Sequence, residues 1–185
     1  MEEVTLKGLT FVPFIRREEI AKQIKRVAAE IQRDCPDENP MFLCVLNGAF
    51  IFAADLYRSI DFPESEITFV RYKSYDGMHS TNEVKQIIGL TEDIENRCVY
   101  IIEDIVDTGL TALQLRKTLE QYNPKFVKMI TLLYKPNSLT VGEPPEFICF
   151  SIPSKFILGY GLDLDGMARN LPDIYVLKEQ FENEA

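Results

Sequence analysis

The chain has 185 residues and carries 20 Lys and Arg against 29 Asp and Glu, a formal net charge of −9 with its one histidine neutral. A single domain of that length buries about two-thirds of its unfolded surface, and with 46% hydrophobic and 11% aromatic residues a mainly disordered chain is excluded. The acidic balance speaks against a general nucleic-acid binder, whose footprint is a basic face, so any anion must be held locally by backbone amides, a few chosen cations or a metal.

Cys35, Cys44, Cys98 and Cys149 are widely spaced and form no CxxC pair. They are expected to be buried free thiols of a reducing compartment. The opening Met-Glu-Glu-Val has no basic or apolar leader character, and every apolar run is far shorter than the roughly 18 residues of a membrane span. These features predict a soluble, cytoplasmic protein with no membrane partner. No repeat, low-complexity segment or Gly/Ser linker divides the chain, so one domain over residues 1–185 is expected.

Within residues 18–34, Ile20, Ile24, Val27, Ala28 and Ile31 recur at helical spacing opposite Lys22, Lys25, Arg26 and Glu30, and Cys35-Pro36 ends the helix. The apolar run 42–46 predicts a buried strand, Asn47-Gly48 a tight turn, and residues 50–60 a second helix. Further strands are predicted over 67–72, 99–102 and 126–133, with a helix over 111–122. Strands alternating with helices imply an α/β fold, a mostly parallel twisted sheet flanked by helices. Short candidates at 147–150, 156–158 and 174–177, broken by Pro and Gly, predict a small hood from the C-terminal part together with the N-terminal segment. Ligands of such sheets lie beyond the carboxyl ends of the strands. That directs attention to Asn47-Gly48-Ala49, to the segment after Tyr72 and to the segment after Ile102.

After Ile102 come Glu103, Asp104, Ile105, Val106, Asp107, Thr108, Gly109, Leu110 and Thr111, between an apolar strand and a helix. A Gly-bearing turn at a helix N-terminus offers free N–H groups and hydroxyls to a phosphate, and the helix dipole favours the negative charge. Glu103 and Asp104 would repel phosphate directly; they suit sugar hydroxyls or a magnesium ion that carries the substrate's charge. For any one of these residues a plain capping or solvated role is an alternative; the string as a whole points to a nucleotide-type ligand.

Residues 99–111, VYIIEDIVDTGLT, resemble the phosphoribosyl pyrophosphate (PRPP) motif of the type I phosphoribosyltransferases. From about Phe42 to Leu177 the chain is similar to the hypoxanthine-guanine members of that family. The resemblance implies the type I phosphoribosyltransferase fold and transfer of the phosphoribosyl group of PRPP to N9 of hypoxanthine or guanine, a purine salvage reaction that gives IMP or GMP and pyrophosphate. It implies Mg2+ as cofactor, and a homodimer or homotetramer. Glu103 and Asp104 then face the ribose hydroxyls, Asp107, Thr108, Gly109, Leu110 and Thr111 wrap the 5′-phosphate, and Asp107 is the general base near N7. Asn47, Gly48 and Arg169 match pyrophosphate-binding positions. Asn47 stands where many members have a basic residue, which leaves that contact to backbone amides; Leu110 replaces a common lysine, a modest loss of positive potential.

The same resemblance assigns Lys135 to the purine O6, Phe156 to stacking on the base, Ile157 to backbone contacts with its edge, and Asp163 to a place beside both purine and metal. Residues 74–83, with Ser74 and Tyr75, match a mobile lid; His79 falls there and receives no chemistry. Two rival readings remain at this level. A PRPP-sensing regulator would need a basic surface that the composition does not supply. A transferase for another base, xanthine above all, shares the 6-oxo group and differs only where the 2-position is read.

Overall fold

The most apolar runs of the chain lie side by side, because a strand that is buried on both faces needs a neighbour along each edge and a layer of side chains above and below. The computed structural model describes residues 3–74, 84–88 and 90–182. Strands β3 (Met41–Leu46), β6 (Cys98–Val106) and β7 (Phe126–Tyr134) form the centre of a six-stranded sheet. Outside them lie β4 (Glu66–Ser74) with β5 (Val84–Ile88) on one side and β8 (Phe147–Ser151) on the other, giving the order β5-β4-β3-β6-β7-β8. All neighbours are parallel except β4 and β5.

Helices α1 (Arg17–Asp34) and α2 (Phe50–Tyr57) cover one face and α3 (Leu110–Glu120) the other. The five apolar positions read from the periodicity of α1 are its buried residues, packed over Cys44, Tyr100 and Ile102. α2 ends at Tyr57, short of the expected 60. The chain after β3 runs to β4 on one side, and the chain then crosses to β6 on the other, so the carboxyl ends of β3 and β6 form the crevice where connections diverge.

Above this end stands a second, antiparallel sheet of four strands, β1 (Val4–Leu6), β2 (Leu9–Ile15), β10 (Ile174–Leu177) and β9 (Ile157–Leu158), in that order. Helix α4 (Lys178–Glu182) follows β10. The hood is thus built from both ends of the chain, as expected, with one correction. Residues 147–150, grouped with the hood in the sequence reading, belong to the main sheet as β8, parallel to β7. Alternation and apolar character identify a strand but not the sheet it joins.

Candidate active site

Strand β6 does not stop at Ile102. Its ladder with β7 continues through Glu103↔Thr131 and Val106↔Tyr134, so the two acids are strand residues rather than the start of a loop. Successive strand residues face opposite ways, and the pleat parts the pair. Glu103 lines the pocket on the α3 side, while Asp104 lies against Gly48, where a Cβ would come within 1.5 Å of Asp104 Oδ2. Only glycine lets the loop after β3 approach so closely.

Burial sets the charge of both acids. It pushes the Asp104 carboxyl up to about 6, opposed by N–H bonds, one of them from Ile105 at 2.8 Å, and by the Arg169 guanidinium. Burial and then the neighbouring Asp104 carboxylate push Glu103 well above the usual carboxylate range. Glu103 Oε2 is buried with no hydrogen-bond partner among the described residues. Two half-buried acids, one with an orphaned buried oxygen, fit a cation that arrives already partly coordinated. Among the described residues no three His, Cys, Asp or Glu side chains stand together as a ready cage for a bare metal ion.

Beyond β6, Asp107, Thr108, Gly109, Leu110, Thr111 and Ala112 curve around a pocket of about 100 Å3. Gly109 is the N-cap of α3 with φ 84°, and its carbonyl accepts the first helical bond from Leu113 N–H at 2.9 Å. The N–H groups of Leu110, Thr111 and Ala112 thus belong to the first helical turn, which has no partners within the helix. The loop is braced from behind. Thr140 and Val141 N–H donate to Thr108 O at 3.1 and 3.2 Å, and a Cβ on Gly109 would meet Val141 O at 2.2 Å. This bracing segment was not legible in the sequence, since it joins the loop only through contacts some thirty residues away.

Lys135 follows β7, donates its N–H to Val106 O at 3.0 Å and turns its ammonium to Asp107 Oδ2, also at 3.0 Å. The Lys135 side chain is 11% exposed and that of Asp107 46%. The loop after Lys135 touches the hood through a Ser138–Ser154 hydroxyl bond. Two residues on, Phe156 is 40% exposed and stands beside Phe11, at 6.0 Å between ring centroids. Ile157 is buried on β9, the edge strand of the hood, so one side of its backbone has no ladder partner.

Asp163 and Arg169 meet at 2.5 Å, Arg169 Nη1 also donates to Gly161 O at 2.6 Å, and Asp163 Oδ2 accepts from Gly166 N–H at 2.6 Å. Gly161, at φ 101°, is packed so that a Cβ would strike Gly48 O at 2.1 Å. Asp104, Gly48, Gly161, Asp163 and Arg169 therefore form one wall of the crevice, and Asn47 is exposed at its rim. Ser74 closes β4; Tyr75 and the remainder of the expected lid lie outside the described residues.

Residues 15–165 match the phosphoribosyl transferase domain family. The chain belongs to the phosphoribosyl transferase family. Among relatives of this phosphoribosyl transferase, the hypoxanthine-guanine phosphoribosyltransferase of Streptococcus thermophilus is 38% identical over 185 residues, the whole of both chains. That of Bacillus subtilis is 40% identical over 165 residues, 89% of this chain and 91% of the other. The hypoxanthine-guanine-xanthine phosphoribosyltransferase of Tritrichomonas foetus is 38% identical, covering 88% of this chain and 89% of the other. Of solved structures, the hypoxanthine-guanine phosphoribosyltransferase of Bacillus anthracis superposes with a TM-score of 0.84 at 36% identity, over 89% of this chain and 97% of that one. The fold is that of this transferase family, as the sequence motif implied.

Proposed function

We propose that this phosphoribosyl transferase moves the 5-phosphoribosyl group of PRPP to N9 of hypoxanthine, and of guanine with it, giving IMP or GMP and pyrophosphate. The observation that carries the reading is the Lys135–Asp107 pair, held at 3.0 Å beside the phosphate loop. O6 and N7–H are neighbours on one edge of a 6-oxopurine, an acceptor beside a donor. An ammonium beside a carboxylate is their complement. Adenine would turn an amino group toward the ammonium. A charge-assisted bond contributes about 1.5–3 kcal/mol, so adenine is rejected by at least roughly one to two powers of ten.

As N9 bonds to C1′ and the C1′–O bond to pyrophosphate breaks, positive charge builds on the imidazole, and Asp107 takes the N7 proton. The amides of residues 108–111 hold the 5′-phosphate at the start of α3. Asp104 and Glu103 accept from the ribose hydroxyls, Phe156 stacks on the base, and the free backbone edge at Ile157 meets its far side. Asn47 and Gly48 offer amides to the leaving pyrophosphate, and Arg169 offers a planar fork. Residues 74–83, with Ser74 and Tyr75, cover the reacting centre and keep water from it. Glu103, Asp104 and Asp163 are the residues that would hold magnesium carried with PRPP, and the ion would supply neutralisation of the pyrophosphate charge; the orphaned Glu103 oxygen supports this assignment. The enzyme works as a homodimer or homotetramer, a reading supported by exposed Phe50 and Phe69.

A steady-state assay tests the proposal: PRPP and magnesium, with hypoxanthine, guanine, xanthine and adenine offered separately. Turnover of hypoxanthine and guanine, none of adenine, and loss of activity in EDTA are expected. Xanthine is included because the name of one relative carries it. Absence of turnover with every base overturns the reading.

A further inference from the structure

The crevice wall is anchored at a point outside the residues that face substrate. Between β9 and the Asp163–Arg169 pair the chain makes three successive residues of positive φ: Gly159 at 93°, Tyr160 at 50° and Gly161 at 101°. A tyrosine in the left-handed region is disfavoured, and it persists only where its surroundings fix it. Its backbone N–H donates to Leu171 O at 2.8 Å, and Gly161 N–H donates to Arg169 O at 2.9 Å. Its ring is 6% exposed, and its hydroxyl donates to Asp55 Oδ2 at 2.6 Å. Asp55 lies on α2, whose first turn continues directly from the Gly48 loop.

The contacts form a closed circuit. Asp55 holds Tyr160, Tyr160 carries Gly161, Gly161 is pressed on the Gly48 carbonyl, and Gly48 is pressed on the Asp104 carboxylate. Gly161 O also orients Arg169. Among the described residues the Tyr160–Asp55 bond is the one side-chain hydrogen bond between this turn and α2. We infer that Tyr160 and Asp55 are positioning residues for the PRPP side of the site, fixing the distance between the Gly48 loop, Asp104 and Arg169 without touching substrate. The inference rests on the proposed function, since it assigns that wall to PRPP and leaves the purine to Lys135 and Phe156.

The test is kinetic. Tyr160→Phe keeps the buried ring and removes only the hydroxyl. The KM for PRPP should rise about tenfold or more, the scale of one lost charge-assisted hydrogen bond, with the KM for hypoxanthine changed less than about twofold. Asp55→Asn keeps an accepting oxygen and should recover most of the PRPP affinity, whereas Asp55→Ala should not. Tyr160→Phe combined with Asp55→Ala should do no more harm than Asp55→Ala alone, which already removes the Tyr160 bond along with the exposed pairing to Arg58. Equal rises in both KM values, unchanged KM values in folded protein, or additive effects of the two substitutions overturn the positioning role. Thermal melts of each variant identify loss of fold, and Asp55→Asn then supplies the second comparison. If the parent enzyme turns over no purine with PRPP, the proposed function itself fails; a parent that works beside an unaltered Tyr160→Phe condemns only this inference.

Discussion

Asp107 and Lys135 hold one another across the mouth of the phosphate loop. A partly exposed pair of this kind contributes at most about 1 kcal/mol to stability, so its place in the molecule is not explained by folding. Asp107→Asn keeps shape and an accepting oxygen and removes the proposed base. Turnover should fall about a hundredfold or more, the usual share of a general base, while the unfolding temperature stays within a few degrees. Unaltered turnover would take Asp107 out of the proton's path. The motif from Val99 to Thr111 made Asp107 legible, because a strand, acids, glycine and threonines in that order are a local signal, whereas Lys135 was reached only through the family resemblance. The parting of Glu103 from Asp104 was not, since it depends on β6 pairing with β7 past Ile102.

Elements are fastened to one another by a few polar contacts, and α3 shows how. Arg116 on that helix donates to Val127 O at 3.0 Å and pairs with Glu146, whose carboxylate also accepts Met129 N–H at 2.7 Å. Burial raises the Glu146 pKa, but the Arg116 and Met129 bonds outweigh it and hold the carboxyl below its usual range. A carboxylate depressed in the folded state stabilises the protein above its unfolded pKa, and that stability is lost as pH falls through the folded value. Glu146→Gln should therefore cost about 1–2 kcal/mol at pH 7 and progressively less as pH falls below the usual carboxylate range, read from denaturant melts at neutral and acid pH. An equal cost at both would remove the ionic explanation. Periodicity made α1, β3, β7 and β10 legible at this scale. It could not show β5 or the β1–β2 hairpin, where Pro13 and a mixture of exposed and buried positions hide the alternation.

For the whole molecule, the proposed function divides the labour between the two sheets: the parallel one carries the loop at α3 and the acids, the antiparallel one the aromatic and backbone groups assigned to the base. An acidic chain of net charge −9 gathers Lys135 and Arg169 at the boundary between them. On the α1 and α2 side of the main sheet, Phe50 and Phe69 are 44% and 43% exposed. The proposed oligomer would cover both rings. Light scattering in solution should give two or four times the chain mass of 21.3 kDa; a single-chain mass would refute the oligomer.

The pairing of β2 with β10 has a consequence for synthesis. On the ribosome, β2 emerges early and waits with one edge open until the last strand of the hood is made, while the strands of the main sheet are all available by Ser151. Domains generally fold as units, so the hood cannot close, and the domain cannot complete its fold, before β10 has been made. On the proposed assignment of the base to the hood, competence for transfer waits on β10, the last strand that translation delivers.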